Sequence, residues 1–304
     1  MEKVIEAKSI SKSFSGVKVI QDLSFFIRSG EIVGLLGPNG SGKTTTVRLL
    51  NGVITADAGH IRVVGLNPFT EGDTLRRRCG VLTESAGLYR ELSGEENLLF
   101  FAQLYGIKNA VRRVKELLSD FQLTEHKDKK VSIYSTGMLK RLGIARALLH
   151  KPQILYLDEP TTGLDPEGAR DLLEYIKNLN QKYNVTILLC THLLKQVQTL
   201  CHRFIFIHKG QLLEEGTLQE LEDKYLRELS LKVETDLSFH GQSFESYPIL
   251  KKEPGAVVFR VQNKEAIPLL LRKILKQGPL YSAEICGRDL ETLYFKVREA
   301  HKHE

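Results

Sequence analysis

The stretch Gly37–Thr44, GPNGSGKT, follows the short apolar run Ile32, Val33, Leu35 and Leu36 and leads into TTTVRLLNG, a segment of helical character stopped by Gly52. Strand, glycine-rich turn and helix in that order make a phosphate-binding loop. Gly37, Gly40 and Gly42 carry no Cβ, so the backbone N–H groups of a turn that also holds Pro38, Asn39 and Ser41 can converge on phosphate oxygens. The helix that follows turns its positive end toward the same anion. Lys43 can reach the β and γ phosphates, Thr44 directly after it supplies a hydroxyl for Mg²⁺, and Thr45 stands beside them. A merely structural turn would need neither the strand before nor the helix after. The loop therefore reads as a site for a nucleoside triphosphate.

A second segment bears on what happens to that nucleotide. KPQILYLDEP, residues 151–160, sets the apolar residues Ile154 to Leu157 directly before Asp158 and Glu159. A continuous apolar run is the pattern of a parallel strand covered on both faces. Open α/β sheets bind ligands at the carboxyl ends of their strands, which puts Asp158 beside the phosphate loop, placed to hold Mg²⁺ directly or through water. Glu159, one residue on, is then placed to orient and deprotonate an attacking water. The same acidic pair also suits the head of the next helix. A third buried run, VTILLC from Val185 to Cys190, ends in Thr191 and His192, a histidine that gains meaning only beside the other motifs.

The segment YSTGMLKRLGIARALL, Tyr134–Leu149, resembles the signature of ATP-binding cassette proteins, and it precedes the Asp158 strand as that family requires. Phosphate loop, signature, Asp-Glu strand, TGLDP (Thr162–Pro166) and histidine follow in the family's order over roughly the first 220 residues, a series more discriminating than any one motif. The resemblance implies an α/β fold: a P-loop NTPase cassette with a RecA-like parallel-sheet core, an N-terminal antiparallel β part and a helical subdomain. It implies ATP and Mg²⁺ as cofactors, with Phe14 of SKSFSGV stacked on adenine and Lys43, Thr44 and Thr45 on the phosphates. Asp158 would serve Mg²⁺, Glu159 would be the general base and His192 the γ-phosphate switch. Ser135 and Gly137 would contact ATP held by a facing cassette, and Asp165 would relay the state of one site to the other. Two cassettes, alike or related, would close head to tail around two ATP molecules.

Departures from the commonest family pattern fall at a few positions. Thr136 and Met138 stand where many members have glycine and glutamine, a variant similar to that of export-type cassettes for drugs, sodium or antibiotics. Glu84, in VLTESAGLY, takes the place of a glutamine that joins Mg²⁺ and water to the membrane subunit. It also offers an oxygen, making Thr44, Glu84 and Asp158 the expected metal ligands, but it adds a third carboxylate to Asp158 and Glu159. Gln196 and His202, which replace acidic residues after the histidine, read as surface variation.

Along the chain, VIEAKSI, LSFFIR, EIVGLLG and HIRVVG alternate as strands over residues 1 to about 84, and helical periodicity takes over from about 85 to 150 in ENLLFFAQLYG and VRRVKELLSDFQL. Leu98, Phe100, Phe101 and Leu104 in the first of these are expected in the core, with a docking surface for the membrane subunit as the alternative that the sequence alone does not separate. The cassette is expected to end near residue 224, after GQLLEEG, read as a hairpin, and a following helix. Residues 225–304 then form a small accessory α+β domain with strands LSLKVE, AVVFRV and LYSAEI, helices KEAIPLLLRKILKQG and DLETLYFKVREAHK, and a weakly patterned stretch around Ser243–Pro254.

Composition narrows the partners. No apolar run approaches the roughly 18 residues that cross a bilayer, and MEKVIEAKSI has no apolar signal core. The scattered cysteines 79, 190, 201 and 286 lack metal-ligand spacing and imply a reducing compartment. The net charge of +6 could suit nucleic acid or an anionic membrane. Its clusters, Arg76–Arg78 and Lys127–Lys130, are short and lack interleaved aromatics, so no nucleic acid is expected. The sequence thus reads as the ATPase subunit of a transporter, exporting through a separate transmembrane permease and lying on the cytoplasmic side of the membrane. The rival is a soluble cassette ATPase acting on ribosomes or nucleic acid, whose members carry paired cassettes or long coiled coils that this chain lacks.

Overall fold

Burial alternates along Lys3–Phe14 (β1) and Val17–Arg28 (β2), which pair antiparallel through a two-residue turn at Ser15 and Gly16, both with left-handed φ. These strands belong to a computed structural model that describes residues 2–226 and 228–301. The chain then crosses into a second sheet at Ile32–Leu36 (β3), buried throughout, before helix Lys43–Leu50 (α1). Ala58–Val63 (β4) returns to pair with β1, completing the three-stranded antiparallel layer β2-β1-β4. Ile5, Ile10, Ile20, Leu23 and Ile27 of this layer share one core with Val33, Leu35, Val47 and Tyr156.

After a short helix, Gly72–Arg76 (α2), strand Cys79–Leu82 (β5) takes the edge of the larger sheet, and the chain leaves it for three helices, Gly94–Leu104 (α3), Ala110–Asp120 (α4) and Thr136–Ala147 (α5). Helix α3 starts in a full capping box, with Ser93 accepting from the Glu96 N–H and Glu96 accepting from the Ser93 N–H. Only part of its expected core face is inside. Leu98 is buried with Ala102, one turn on, whereas Phe100 is 42 % and Leu104 71 % exposed and Phe101 is half-buried. Phe100 and Leu104 share a second i, i+4 stripe of the same helix, which runs along its outer side.

The chain re-enters the sheet at Ile154–Asp158 (β6), passes through Pro166–Tyr183 (α6), and adds Thr186–Thr191 (β7). A single turn, Leu194–Val197 (α7), leads to Arg203–His208 (β8) and Gln211–Gly216 (β9). The strand order is β5-β6-β7-β3-β8-β9, parallel from β5 to β8. Register sets Leu36 beside Thr191 and Asp158 beside Cys190, so the three carboxyl ends meet at one edge. The fold is the expected α/β cassette. GQLLEEG, however, is not itself a hairpin: it is the single strand β9, and the turn lies before it at Lys209 and Gly210, where both φ values are positive.

Contacts divide the chain into two units, Met1–Glu215 and Gly216–Glu304. The second begins with helix Leu218–Tyr225 (α8), followed by strands Leu229–Glu234 (β10), Ser243–Phe244 (β11), Tyr247–Glu253 (β12) and Ala256–Val261 (β13). Helix Ala266–Leu275 (α9), strand Ser282–Cys286 (β14) and helix Leu290–Ala300 (α10) complete it. The sheet runs β11-β12-β13-β10-β14, all antiparallel, over a core of Leu231, Val233, Phe259, Leu270 and Ile274. Two strands thus occupy the stretch expected to be weakly patterned, because β12 is largely exposed and shows no clean alternation. Helix α8 packs on α10 within this unit, and Arg288 pairs with Glu222 at 3.5 Å, which is why the contact division falls before α8 and not after it.

Candidate nucleotide site

The phosphate loop is shaped by what it cannot hold. A Cβ on Gly37 would lie 2.3 Å from the Ile207 carbonyl oxygen and 2.7 Å from Ser41 Oγ, so β8 presses directly on the loop. From the other side the Gly210 N–H donates to the Ser41 carbonyl at 3.0 Å, and the Gln21 N–H donates to the Gly210 carbonyl at 2.9 Å. A Cβ on Gly210 would meet the Val19 carbonyl at 2.1 Å. The β8–β9 turn therefore buttresses the loop and requires glycine twice over, for its φ of 80° and for this approach. Helix α1 opens without a side-chain cap, and its first residues Lys43, Thr44 and Thr45 line a cavity of about 370 Å³ with Asn39, Gly40, Gly42 and Val19. Uncapped N–H groups and the helix dipole make that cavity a place for an anion.

Acidic groups face the loop from the ends of β6 and β5. The Thr44 hydroxyl donates to Asp158 Oδ2 at 2.7 Å, while Asp158 Oδ1 is buried without a partner. Burial pushes the Asp158 carboxyl up from its ordinary range; the Thr44 hydrogen bond and Lys43 pull it down, and Glu159 and Glu84 add to the rise. An unsatisfied hard oxygen next to a hydroxyl fits Mg²⁺. Among the described residues no three acidic, histidine or cysteine side chains converge as a ready-made metal cage.

Glu159 is the most connected group in the site. Its Oε1 lies 3.4 Å from Lys43 Nζ and 3.0 Å from His192 Nδ1, and its Oε2 accepts from Thr162 Oγ1 at 3.3 Å and Thr191 Oγ1 at 3.2 Å. Its backbone has a left-handed φ of 49°, with the N–H donating to the Cys190 carbonyl at 2.9 Å. Lys43, itself buried, also donates to the carbonyls of Gly37 and Pro38 at 2.8 and 3.2 Å. Glu84 is exposed but lines the same cavity.

Lys43, Thr44, Thr45, Glu84, Asp158, Glu159 and His192 are thus brought together, with Ser41 buried in the loop beneath them. Phe14 ends β1, 43 % exposed with the Lys12 ammonium 5.5 Å from its ring centre, and does not line the cavity. Ser135 and Gly137 are elsewhere. Ser135 caps α5 by accepting from the Met138 N–H, and Gly137 lines a separate hollow with Leu164, Gly168 and Tyr175. Asp165 caps α6 through the Gly168 N–H. Gln196, read as surface variation, accepts instead from the buried Thr161 hydroxyl at 2.8 Å. Sequence reasoning missed Thr162, Thr191 and Lys140, whose ammonium donates to the backbone carbonyls of Glu84 and Glu159 at 3.0 and 3.2 Å. A lysine inside a buried helix face was the available signal for the last.

Comparison with known proteins follows the same lines. Residues 20–162 match the family described as ABC transporter. The chain is 34 % identical to the uncharacterized ABC transporter ATP-binding protein YdbJ of Bacillus subtilis (strain 168), over 100 % of this chain and 98 % of that protein. It is 39 % identical to the bacitracin transport ATP-binding protein BcrA of Bacillus licheniformis, over 77 % of this chain and 76 % of the relative. Among solved structures, an ATP binding subunit of an ABC transporter superposes with a TM-score of 0.66 at 32 % identity, covering 73 % of this chain and 93 % of its own.

Proposed function

The chain belongs to the ABC transporter ATP-binding proteins, and from that membership we propose that it hydrolyses ATP at the Lys43–Glu159 site to drive export through a separate transmembrane subunit. The observation that carries the chemistry is Glu159, held by Lys43, His192, Thr162 and Thr191 at the open end of the phosphate loop. The loop N–H groups, Lys43 and Thr45 bind the triphosphate. Glu159 takes the proton of a water whose oxygen attacks the γ phosphorus, the bond to the β-phosphate oxygen breaks, and ADP and phosphate leave. His192 keeps Glu159 turned toward that water. Thr44 and Asp158, with Glu84 as a further ligand, would hold Mg²⁺, which neutralises charge on the β and γ phosphates when bound.

Ser135 and Gly137 lie away from this loop in their own chain and, by the family's arrangement, serve a second cassette facing it, so the active unit is a pair. Export is supported by relatives such as the Nod factor export ATP-binding protein I of Paraburkholderia xenovorans (strain LB400). An outward patch of Tyr89, Phe100 and Phe101, with ring centres 5.1 to 5.9 Å apart, supports docking of a membrane subunit on the helical part. No helix among the described residues is long and apolar enough to cross a membrane. The reading places the protein at the cytoplasmic face of the membrane. Phosphate release by the purified chain tests the activity: turnover that needs both ATP and Mg²⁺ and disappears in Lys43→Ala is expected, and turnover that survives this change rejects the site.

A further inference from the structure

Lys140 sits on α5, the signature helix, and is only 5 % exposed. Its ammonium spans two loops that reach the nucleotide cavity from different strands, donating to the Glu84 carbonyl at 3.0 Å and the Glu159 carbonyl at 3.2 Å. Neither bond involves a side-chain oxygen, so the carboxylates of both residues stay directed at the cavity. The Glu159 backbone is in a left-handed conformation that a side chain of its kind adopts only under constraint. The Cys190 carbonyl holds its N–H, and its own carbonyl accepts from Lys140 at 3.2 Å and, more weakly, from the Thr162 N–H at 3.4 Å.

We propose that Lys140 is a positioning residue for hydrolysis, a buried cation that fixes the backbones of Glu84 and Glu159 and ties the signature helix to the hydrolytic carboxylate. The proposal rests on Glu159 acting as the base. Without the ammonium, the Glu159 carbonyl keeps only the longer bond from the Thr162 N–H among the described residues, and the backbone can relax toward an ordinary φ. The carboxylate then swings off its bonds with Lys43, His192, Thr162 and Thr191. The phosphate loop takes no bond from Lys140, so nucleotide binding is spared. The loop after β5 keeps its general course as well, because Arg146, farther along α5, donates to the carbonyls of Gly87 and Val81 at 2.9 and 3.2 Å. A role in transition-state geometry alone therefore separates from a role in folding.

Lys140→Met keeps the aliphatic stem and removes the donor, and Lys140→Gln keeps a shorter donor that cannot reach both carbonyls at once. With MgATP, Lys140→Met is expected to lower kcat at least tenfold with KM within twofold of the parent and an unchanged melting temperature. Lys140→Gln falls between the two. Should the methionine variant not fold, the glutamine variant alone decides, with at least a threefold loss of kcat at constant KM. A folded variant with parental kcat, or one in which KM rises as far as kcat falls, overturns the proposal. Glu159→Gln, run alongside, separates the two readings: full turnover in that protein removes the base itself, whereas a dead Glu159→Gln beside an active Lys140→Met removes only the role of Lys140.

Discussion

Thr44 and Asp158, 114 residues apart in the chain, meet through a hydrogen bond of 2.7 Å from hydroxyl to carboxylate. It joins the start of α1 to the end of β6, the two places to which the proposed function assigns the phosphate and the metal. A change on either side of this bond should be felt as a change in metal use before it is felt as a loss of fold.

Glu159→Gln keeps one acceptor oxygen for the Thr162 and Thr191 hydroxyls and loses the charge that faces Lys43 and the capacity to take a proton. Its turnover should fall by about 10²-fold or more, the usual worth of a general base, while ATP affinity holds or tightens. With ATP the variant should accumulate as closed dimers. Steady-state phosphate release and light scattering read the two effects, and parental turnover would strip Glu159 of the role.

Asp158→Asn should trade activity for stability. Burial raises the Asp158 carboxyl above its ordinary value of 3.8, so the folded chain holds that proton more tightly than the unfolded one. Stability therefore falls as pH climbs from 3.8 through the raised value, and the penalty is complete above it. The asparagine variant should melt higher than the parent at neutral pH, and the gap should close as pH drops toward 3.8. Hydrolysis should fall by about 100-fold, the scale of several kcal/mol of lost charge stabilisation. A variant that melts lower at neutral pH contradicts the burial penalty.

Glu84 is exposed and lines the cavity. As a ligand it should show in the Mg²⁺ concentration for half-maximal hydrolysis, rising in Glu84→Gln and further in Glu84→Ala, by about tenfold in the latter. Three superimposable Mg²⁺ curves would leave Glu84 without a metal role.

A fragment ending at residue 216 should fold and bind ATP, since the cassette sheet closes with β9 and the proposed nucleotide site precedes it. One ending near 224 keeps most of α8 but strips it of α10, the helix it packs on. That longer fragment should be the less soluble of the two. Equal behaviour in expression and nucleotide binding would show that α8 does not depend on the rest of its unit.

The cassette was legible because its motifs are local. GPNGSGKT, the Asp158 strand and the signature each carry their chemistry within a few residues, and four apolar residues before Asp158 suffice to announce a covered strand. What stayed hidden depends on which segments meet. Nothing near Thr191 or Lys140 says that their partners lie 32 and 19 residues away at Glu159. Phe100 and Leu104 look as apolar as Leu98, and only the packing of α3 tells its inner stripe from its outer one. β12 escaped because both of its faces are largely wet, which erases the period-two pattern.

The buttress at Lys209 and Gly210 gives the molecule an order of assembly. The phosphate loop is written by residue 44, yet it rests on a turn synthesised some 170 residues later, through the contact of Gly210 with Ser41. A growing chain therefore emerges with its nucleotide motif complete in sequence and unsupported in space. ATP should have no hold on it until β8 and β9 have joined the sheet. The nucleotide site of the growing chain is then expected to become competent late, when the last edge of the sheet locks against the first loop.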